Sequence, residues 1–151
     1  MEVRIDDLTG LEIAALLQEH LDAMIANSPP CSKHALDLDG LRRPEITFFT
    51  IWDGTNLAGC GALKELKPQH GEIKSMRTAT AYLRKGVAQK MLGHIIKTAQ
   101  ARGYSRISLE TGAAAYFKPA HSLYASFGFI ETEAFGGYKP DPNSIFMTKG
   151  L

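Results

Sequence analysis

A chain of 151 residues with a formal net charge of +1 has the length of one ordinary domain. Hydrophobic residues make up 44% of it, yet no apolar run approaches the roughly 18 residues that a membrane-spanning helix needs. Cys31 and Cys60 are too few for a disulfide framework, and the acidic, strand-like N-terminus is unlike a signal peptide. These features predict a single cytoplasmic domain over residues 1–151 with no membrane partner.

Charge is distributed unevenly along the chain. Residues 64–106 contain ten Lys and Arg and two acidic residues, a net charge of +8, whereas residues 1–63 contain four basic and ten acidic residues, a net charge of −6. A basic block in a nearly neutral protein indicates a local anionic ligand. A nucleic-acid partner is disfavoured, because the block lacks the interleaved exposed aromatic residues of single-strand binders. The alternative for any one lysine is a solvated helix face.

Hydrophobic periodicity and turn signals divide the chain into strands and helices. Strands are predicted at residues 2–6, 46–52, 57–66, 71–78, 106–111, 129–132 and 145–149. Helices or helical turns are predicted from residue 11 to residue 27, over roughly residues 34–41, from residue 87 to residue 102 and near residues 119–127. Because the third helix joins two strands, those strands should lie parallel. The pattern predicts an α/β (α+β) domain, a mixed sheet with helices on its faces.

Two local predictions concern the first helix and the hairpin. Thr9 is predicted to cap the first helix, with Glu12 completing a capping box. Gly59 and Gly61 lie inside a predicted strand, which indicates a bulge or a close approach of another backbone.

The segment Tyr82-Leu83-Arg84-Lys85-Gly86-Val87-Ala88 leads from a strand into the long amphipathic helix. A helix start exposes unpaired backbone N–H groups, and the helix dipole adds partial positive charge there. This combination binds phosphate groups, and Arg84 and Lys85 would reinforce it. The alternative interpretation is an ordinary turn before a helix.

Three motifs, in this order of elements, resemble those of the GNAT family of acetyl-CoA-dependent N-acetyltransferases, in particular its small bacterial single-domain members. The segment just described resembles the family's phosphate turn, with Leu83 in place of a Gln or Arg. The second motif is Ala120-x-x-Leu123-Tyr124 followed by Phe127-Gly128-Phe129, with Phe117 in the place of an Asn. The third is Gly71-Glu72-Ile73-Lys74-Ser75-Met76.

The resemblance covers essentially the whole chain, and it implies a fold and a donor. The expected fold is a mixed sheet of six to seven strands flanked by about four helices, with a splay between two central parallel strands. The expected cosubstrate is acetyl-CoA, without a metal. The residues expected to bind it are Met76, Arg77, Thr78, Arg84, Lys85, Gly86, Val87, Ala88, Ala120 and Tyr124.

The resemblance also implies catalytic roles. Tyr124 is expected to protonate the departing thiolate, and Glu72 to deprotonate the amine. Backbone N–H groups at 75–78 are expected to receive the thioester oxygen. The alternatives are that Tyr124 only packs, that Glu72 only pairs with a neighbouring cation, and that Cys60 carries the acyl group.

The acceptor is less well defined. His34, Arg42 and Arg43 lie in the region that covers the acceptor in this family, and a solvated loop is the alternative. The acidic N-terminal part favours a cationic amine of a small molecule or peptide, whereas the arginines would suit a carboxylate. We expect direct attack by the amine in a ternary complex.

A non-catalytic acyl-CoA-binding or sensor module and a homodimer formed through a sheet edge both remain open. Zinc is disfavoured, because the Cys31–His34 pair lacks further ligands at recognisable spacing.

Overall fold

The computed structural model describes residues 1–27 and 38–151. Its strands are β1 Glu2–Ile5, β2 Ile46–Asp53, β3 Asn56–Lys67, β4 His70–Thr78, β5 Arg106–Gly112, β6 Ile130–Thr132 and β7 Ser144–Gly150. Its α-helices are α1 Leu11–Asn27, α2 Leu38–Leu41, α3 Val87–Ala101 and α4 Lys118–Ser126. Short 3₁₀ turns at Thr80–Tyr82 and Ala115–Phe117 precede α3 and α4. The predicted strands and helices are confirmed to within a few residues at their ends, apart from residues 34–37, which lie outside the described residues.

The seven strands form one sheet in the order β1-β2-β3-β4-β5-β7-β6. Neighbouring strands are antiparallel except for β4 and β5, which are parallel and are joined through α3. This confirms the predicted crossover. Strand β7 lies between β5 and β6, so the last strand of the chain is internal, and β1 and β6 form the two edges of the sheet.

Two clusters of buried side chains cover the two faces of the sheet. On one face, the apolar stripe of α3 packs on β3 and β4, Met91 and Ile95 share a cluster with Ile73 and Leu109, and Tyr124 of α4 joins it. On the other face, α1 packs on β3 and β4, and Phe48 of β2 joins the same cluster. Burial of each large aliphatic side chain contributes about 1.5–3 kcal/mol, so these two layers fix the helices on the sheet. No helix among the described residues has the length and apolar character needed to cross a membrane.

The two glycines of β3 permit a close approach, as predicted. A Cβ at Gly59 would lie 2.8 Å from the Arg77 carbonyl oxygen and 2.8 Å from Val87 Cγ1. A Cβ at Gly61 would lie 2.8 Å from the sulfur of Met76. The first turn of α3 can therefore lie directly over β3 and β4, which brings the helix start close to the centre of the sheet.

The capping prediction for α1 was wrong by one residue. The first helical hydrogen bond runs from the Ala14 N–H to the Gly10 carbonyl at 3.3 Å, so the helix begins after Gly10. The Thr9 hydroxyl instead donates to Asp7 Oδ1 at 2.6 Å, because the short acidic side chain forms a local turn with it.

Candidate functional site

The central feature of the sheet is a gap between its two parallel strands. The pairing of β4 with β5 ends at Ile73 and Leu109, although the strands continue to Thr78 and Gly112. Beyond that pair, a cavity of about 1250 Å³ opens, lined by both strands, by the starts of α3 and α4, and by α1. The splay expected between the central strands is therefore present, and it leads directly into this cavity.

A bulge in β4 lies beside this gap. Cys60 pairs with Arg77 and Ala62 pairs with Lys74, so β4 has one more residue than β3 between these pairs. Ser75 lies in the bulge with a φ of 56°, a left-handed conformation that is uncommon for a residue with a side chain. A bulged residue is left out of the ladder. The bulge thus leaves backbone groups at 75–76 outside the pairing with β3, on the wall of the cavity, where an oxyanion-binding role had been expected.

The predicted phosphate turn has the required backbone geometry. Arg84 and Gly86 both have positive φ angles, 62° and 79°. The first hydrogen bond of α3 runs from the Lys90 N–H to the Gly86 carbonyl at 3.1 Å, so the N–H groups that precede it have no partner within the helix. Residues 83, 84 and 86–89 line the cavity. Lys85, which was also expected to bind the cosubstrate, is not among the described residues that line the cavity. Its ammonium lies 5.4 Å from the centre of the Tyr82 ring.

Tyr124 lies on the α4 side of the gap. It is 6% exposed and lines the cavity, as does Ala120 one turn earlier. Its ring contacts that of Phe129 edge to face, with the ring centres 5.8 Å apart. Burial raises the pKa of the Tyr124 phenol well above its usual range, so the hydroxyl keeps its proton at neutral pH. Phe117, at the position of the family's Asn, is buried against Gly112 and offers a ring where an amide was expected.

Glu72 lies on the opposite face of the sheet, within a compact polar cluster. Its Oε2 accepts a hydrogen bond from the Tyr138 hydroxyl at 2.6 Å and forms an ion pair with Lys74 Nζ at 3.1 Å. The Lys74 ammonium also donates to the Tyr138 hydroxyl at 2.9 Å. The side chains of Glu72 and Lys74 are 3% and 10% exposed. The alternative interpretation of Glu72, pairing with a neighbouring cation, therefore describes a real contact, and Glu72 also lines the cavity.

A second carboxylate in the cavity, Glu110, was missed by the sequence analysis. It is the first residue of β5 beyond the last pair with β4, and it lines the cavity with Glu72. Burial raises the pKa of the Glu110 carboxyl to about 7, with Glu72 and Asp141 acting in the same direction and Lys74 against it. Among the described residues, no hydrogen-bond partner is found for its buried Oε2. The available signal was a carboxylate at the carboxyl end of a strand parallel to β4.

Two more buried polar atoms on the cavity lining lack a hydrogen-bond partner within the described ranges 1–27 and 38–151, His20 Nδ1 and Arg77 Nε. Burial, with a smaller contribution from Arg77, lowers the pKa of His20 to about 4, so the imidazole is neutral at neutral pH. The Arg77 guanidinium donates to Glu19 at 2.9 Å and to the Tyr116 hydroxyl at 3.2 Å, and so connects α1 to the segment before α4. A bound molecule could supply the missing partners.

The residues predicted to contact the acceptor are only partly brought to the cavity. Arg42 lines it and is held by a 2.7 Å hydrogen bond to the Leu8 carbonyl and a 3.6 Å ion pair with Asp39. Arg43 is not among the described residues that line the cavity. His34 lies outside the described residues.

The surroundings of Cys60 bear on whether it could carry the acyl group. Cys60 is buried beneath the bulge, where its thiol donates to the Ser75 carbonyl at 3.2 Å, and burial raises its pKa to about 12. A thiol that stays protonated is a poor nucleophile, which argues against an acyl-cysteine route. Within the described part of the chain, no three His, Cys, Asp or Glu side chains lie together as metal ligands would.

Comparison with solved structures gives the same architecture. An acetyltransferase from Streptococcus agalactiae 2603 aligns with a TM-score of 0.76 at 19% identity, over 99% of this chain and 98% of that one. A Bacillus subtilis acetyltransferase in complex with CoA aligns at 0.70 and 18% identity, over 99% and 98%. A GNAT family acetyltransferase from Elizabethkingia anophelis with acetyl-CoA bound aligns at 0.70 and 17% identity, over 99% and 97%. At these identities the likeness shows the fold.

Sequence relatives go further than the fold. The family model of the Acetyltransferase (GNAT) family matches residues 13–129. The chain is 60% identical over 151 residues to the uncharacterised N-acetyltransferase YsnE of Bacillus subtilis strain 168, covering 100% of both. It is 49% identical over 149 residues to the uncharacterised N-acetyltransferase YedL of Escherichia coli strain K12, covering 99% of this chain and 94% of that protein. Matches of this extent show that the chain belongs to the GNAT acetyltransferase family and is an acyltransferase.

Proposed function

We propose that the protein transfers the acetyl group of acetyl-CoA to a primary amine of a small molecule or peptide, by direct attack of the amine in a ternary complex. The observation that carries this proposal is the continuity of one cavity. It runs from the backbone turn at the start of α3, through the splay between β4 and β5, to the polar cluster around Glu72.

The donor half of the cavity suits the chemistry of coenzyme A. Unpaired N–H groups at a helix start, together with the Arg84 side chain, can hold a pyrophosphate. The edges of β4 and β5 beyond Ile73 and Leu109 are left unpaired with each other, so an extended pantetheine arm can bond to them as a strand would. Two solved proteins of the same fold are described with CoA or acetyl-CoA bound, which supports the assignment by analogy.

The proposed chemistry uses groups on both faces of the gap. The buried, protonated Tyr124 phenol would give a proton to the departing thiolate. N–H groups at residues 75–78, in the bulge and just after it, would stabilise the oxyanion. Glu72, the base expected from the family resemblance, lies on the amine side, and Glu110 offers a second carboxylate for the same step.

The acceptor half favours an amine for electrostatic reasons. Glu72 and Glu110 face it together, and Lys74 balances one of their charges. A protonated amine would therefore enter an environment with one uncompensated carboxylate. Leu17, Leu21 and Met24 of α1 line the same half, which suits an acceptor with an apolar portion.

A transfer assay tests this proposal against the alternative of a non-catalytic acyl-CoA-binding module. The protein would be incubated with acetyl-CoA and spermidine, glucosamine, lysine or an alanine-terminated tripeptide, and free thiol would be measured together with the mass of the amine product. We expect amine-dependent thiol release and an N-acetylated product. Calorimetric binding of acetyl-CoA without thiol release for any amine would favour the sensor module instead.

A further inference from the structure

We propose that Glu110 is the group that accepts the proton of the acceptor amine, with Glu72 acting as a positioning residue that holds Lys74 and Tyr138. This inference rests on the proposed function and assigns its proton-accepting step to a residue on β5. It follows from where β5 leaves the parallel pair, from the hydrogen bonding of the two carboxylates and from the face of the sheet on which each lies.

Glu110 lies at the point where the gap opens. Glu72 pairs with Ser108 and Ile73 with Leu109, so Glu110 is the first β5 residue with no β4 partner. Alternate residues of a strand share a face, which puts Glu110 on the same face as Ser108, opposite the side taken by Ile107 and Leu109 in the α3 cluster. Glu110 is the one acidic side chain of β5, and it lies at the start of the splay, on the face opposite the α3 cluster.

The hydrogen bonding of the two carboxylates differs. Glu72 Oε2 already accepts from the Tyr138 hydroxyl and from the Lys74 ammonium. Glu110 Oε2 is buried and has no hydrogen-bond donor among residues 1–27 and 38–151. Buried acceptors are nearly always satisfied, so an unsatisfied one beside a cavity is best explained by a donor that arrives with a ligand. An ammonium group is such a donor.

The charged groups around Glu110 keep it usable as a base. Lys74 and Glu72 face it from β4, and Tyr138 and Asp141 face it from the segment between β6 and β7. Burial and the two neighbouring carboxylates outweigh the effect of Lys74, and the pKa of Glu110 rises to about 7. A general base is most effective when its pKa is close to the working pH. His20, whose pKa falls to about 4, is a much weaker base on the same lining.

Glu110 and Tyr124 flank the gap from opposite faces of the sheet. Tyr124 belongs to the cluster on the α3 and α4 face, whereas Glu110 lies on the face covered by α1 and Tyr138. A thioester between the strands would thus have the attacking nitrogen on one side and the departing sulfur on the other. This separation keeps the proton acceptor and the proton donor from neutralising one another.

The transfer can be written with all protons assigned. Glu110 takes one proton from the ammonium, and the nitrogen lone pair forms the N–C bond while the carbonyl π electrons move to oxygen. When that electron pair re-forms the carbonyl, the C–S bond breaks and sulfur takes its electrons and a proton from Tyr124. The nitrogen then loses its second proton through water to the tyrosinate, which regains its neutral form. Glu110 releases its proton to solvent, so an amide, free thiol and one proton are the net products.

The pH dependence of kcat/KM in Glu110→Gln and Glu72→Gln tests this assignment, with the most active amine of the panel as acceptor. For the unaltered chain we expect kcat/KM to rise with pH up to a pKa of about 7. In Glu110→Gln the value should fall by about 100-fold or more and lose that limb. Glu72→Gln should lower kcat/KM, but kcat/KM should still rise with pH. Glu131→Gln, on the exposed face of β6, is the matched surface control.

Chemical rescue gives a second, independent readout. Glu110→Ala leaves room for a small carboxylate, so added formate should restore part of its activity, whereas Glu72→Ala should gain nothing. CoA binding by calorimetry checks that each variant is folded. Wild-type transfer with an unchanged pH profile in Glu110→Gln would overturn the role of Glu110 alone. Failure of the wild-type protein to acetylate any amine would overturn the proposed function, and this inference with it.

Discussion

The Tyr138 hydroxyl donates a 2.6 Å hydrogen bond to Glu72 Oε2 across 66 residues of sequence. This contact brings the irregular segment between β6 and β7 over the middle of β4. The aromatic rings of Phe135 and Phe146 pack around Tyr138 with ring centres 5.3 and 5.5 Å away and hold it in place. One wall of the cavity is therefore built from a part of the chain that has no regular secondary structure.

Removing this hydroxyl should weaken the fold. In Tyr138→Phe, the buried Glu72 carboxylate keeps Lys74 and loses its shortest hydrogen bond. We expect a loss of about 1–3 kcal/mol in the free energy of unfolding, because a buried charged acceptor loses a donor. Urea denaturation measures it. Tyr116→Phe is the comparison: its hydroxyl accepts from Arg77 at 3.2 Å, but Tyr116 is 48% exposed, so water can replace it while Arg77 keeps Glu19, and we expect a smaller loss than in Tyr138→Phe. Equal effects of the two substitutions would show that the Tyr138–Glu72 hydrogen bond adds no particular stability.

The turn before α3 should be sensitive to a side chain with a branched Cβ. Gly86 has a φ of 79°, so Gly86→Val forces strain at the proposed pyrophosphate site. We expect CoA affinity, measured by calorimetry, to fall about tenfold or more. Gly54→Val is the matched control. Gly54 has a φ of 61° in the β2–β3 turn, and a Cβ added there would have no neighbouring atom within 4 Å. This variant should lose similar stability and keep its affinity, and loss of affinity in both variants would argue against a local role.

Tyr124→Phe separates chemistry from binding. The ring and its packing on Phe129 remain, whereas the proton donor is lost. We expect kcat to fall by about 100-fold or more while the affinity for acetyl-CoA changes by less than about threefold. Steady-state kinetics and calorimetry on the same preparation give both values. Unchanged kcat would remove Tyr124 as the acid and leave the packing interpretation.

Glu110 should also affect stability in a pH-dependent way. Its pKa rises from 4.5 to about 7 on folding, so between these values the folded chain binds a proton that the unfolded chain has released. Stability contributed by that proton is present below about pH 4.5 and is lost as pH rises through about 7. Glu110→Gln should therefore stabilise the protein by roughly 2 kcal/mol near pH 8, after allowance for partial exposure. Near pH 4.5 it should change little, and an equal difference at both pH values would contradict the shifted pKa.

Much of the fold could be predicted from local pattern. The stripe from Val87 to Ala99, the β-branched residues of β2 and the turn glycines each specify an element by themselves. The insertion of β7 between β5 and β6 could not be predicted, because strand order depends on packing between distant segments. The Thr9 cap failed for a local reason instead, since Asp7 competes for its hydroxyl within the same turn.

The candidate site was predictable on its donor side and less so on its acceptor side. Gly86 signals a positive φ by its identity, whereas Ser75 adopts one without any such signal. Tyr138 lies in a segment with no periodicity, so its contact with Glu72 could not be expected. Glu110 follows Ile107 and Leu109 in simple alternation and resembles a solvent-facing strand residue. Its burial becomes visible only when β4, β7 and the β6–β7 segment are brought around it.

A crystal structure of the Tyr124→Phe variant with acetyl-CoA bound would show directly whether the thioester lies between Glu110 and position 124, since slow turnover would preserve it. We expect the pyrophosphate at the N–H groups of residues 84–88 and the thioester between β4 and β5, beyond Ile73 and Leu109. The sulfur should lie nearest position 124, and Glu110 should lie on the opposite side of the carbonyl carbon. A pantetheine arm that runs outside the gap, or a thioester remote from both residues, would contradict this placement.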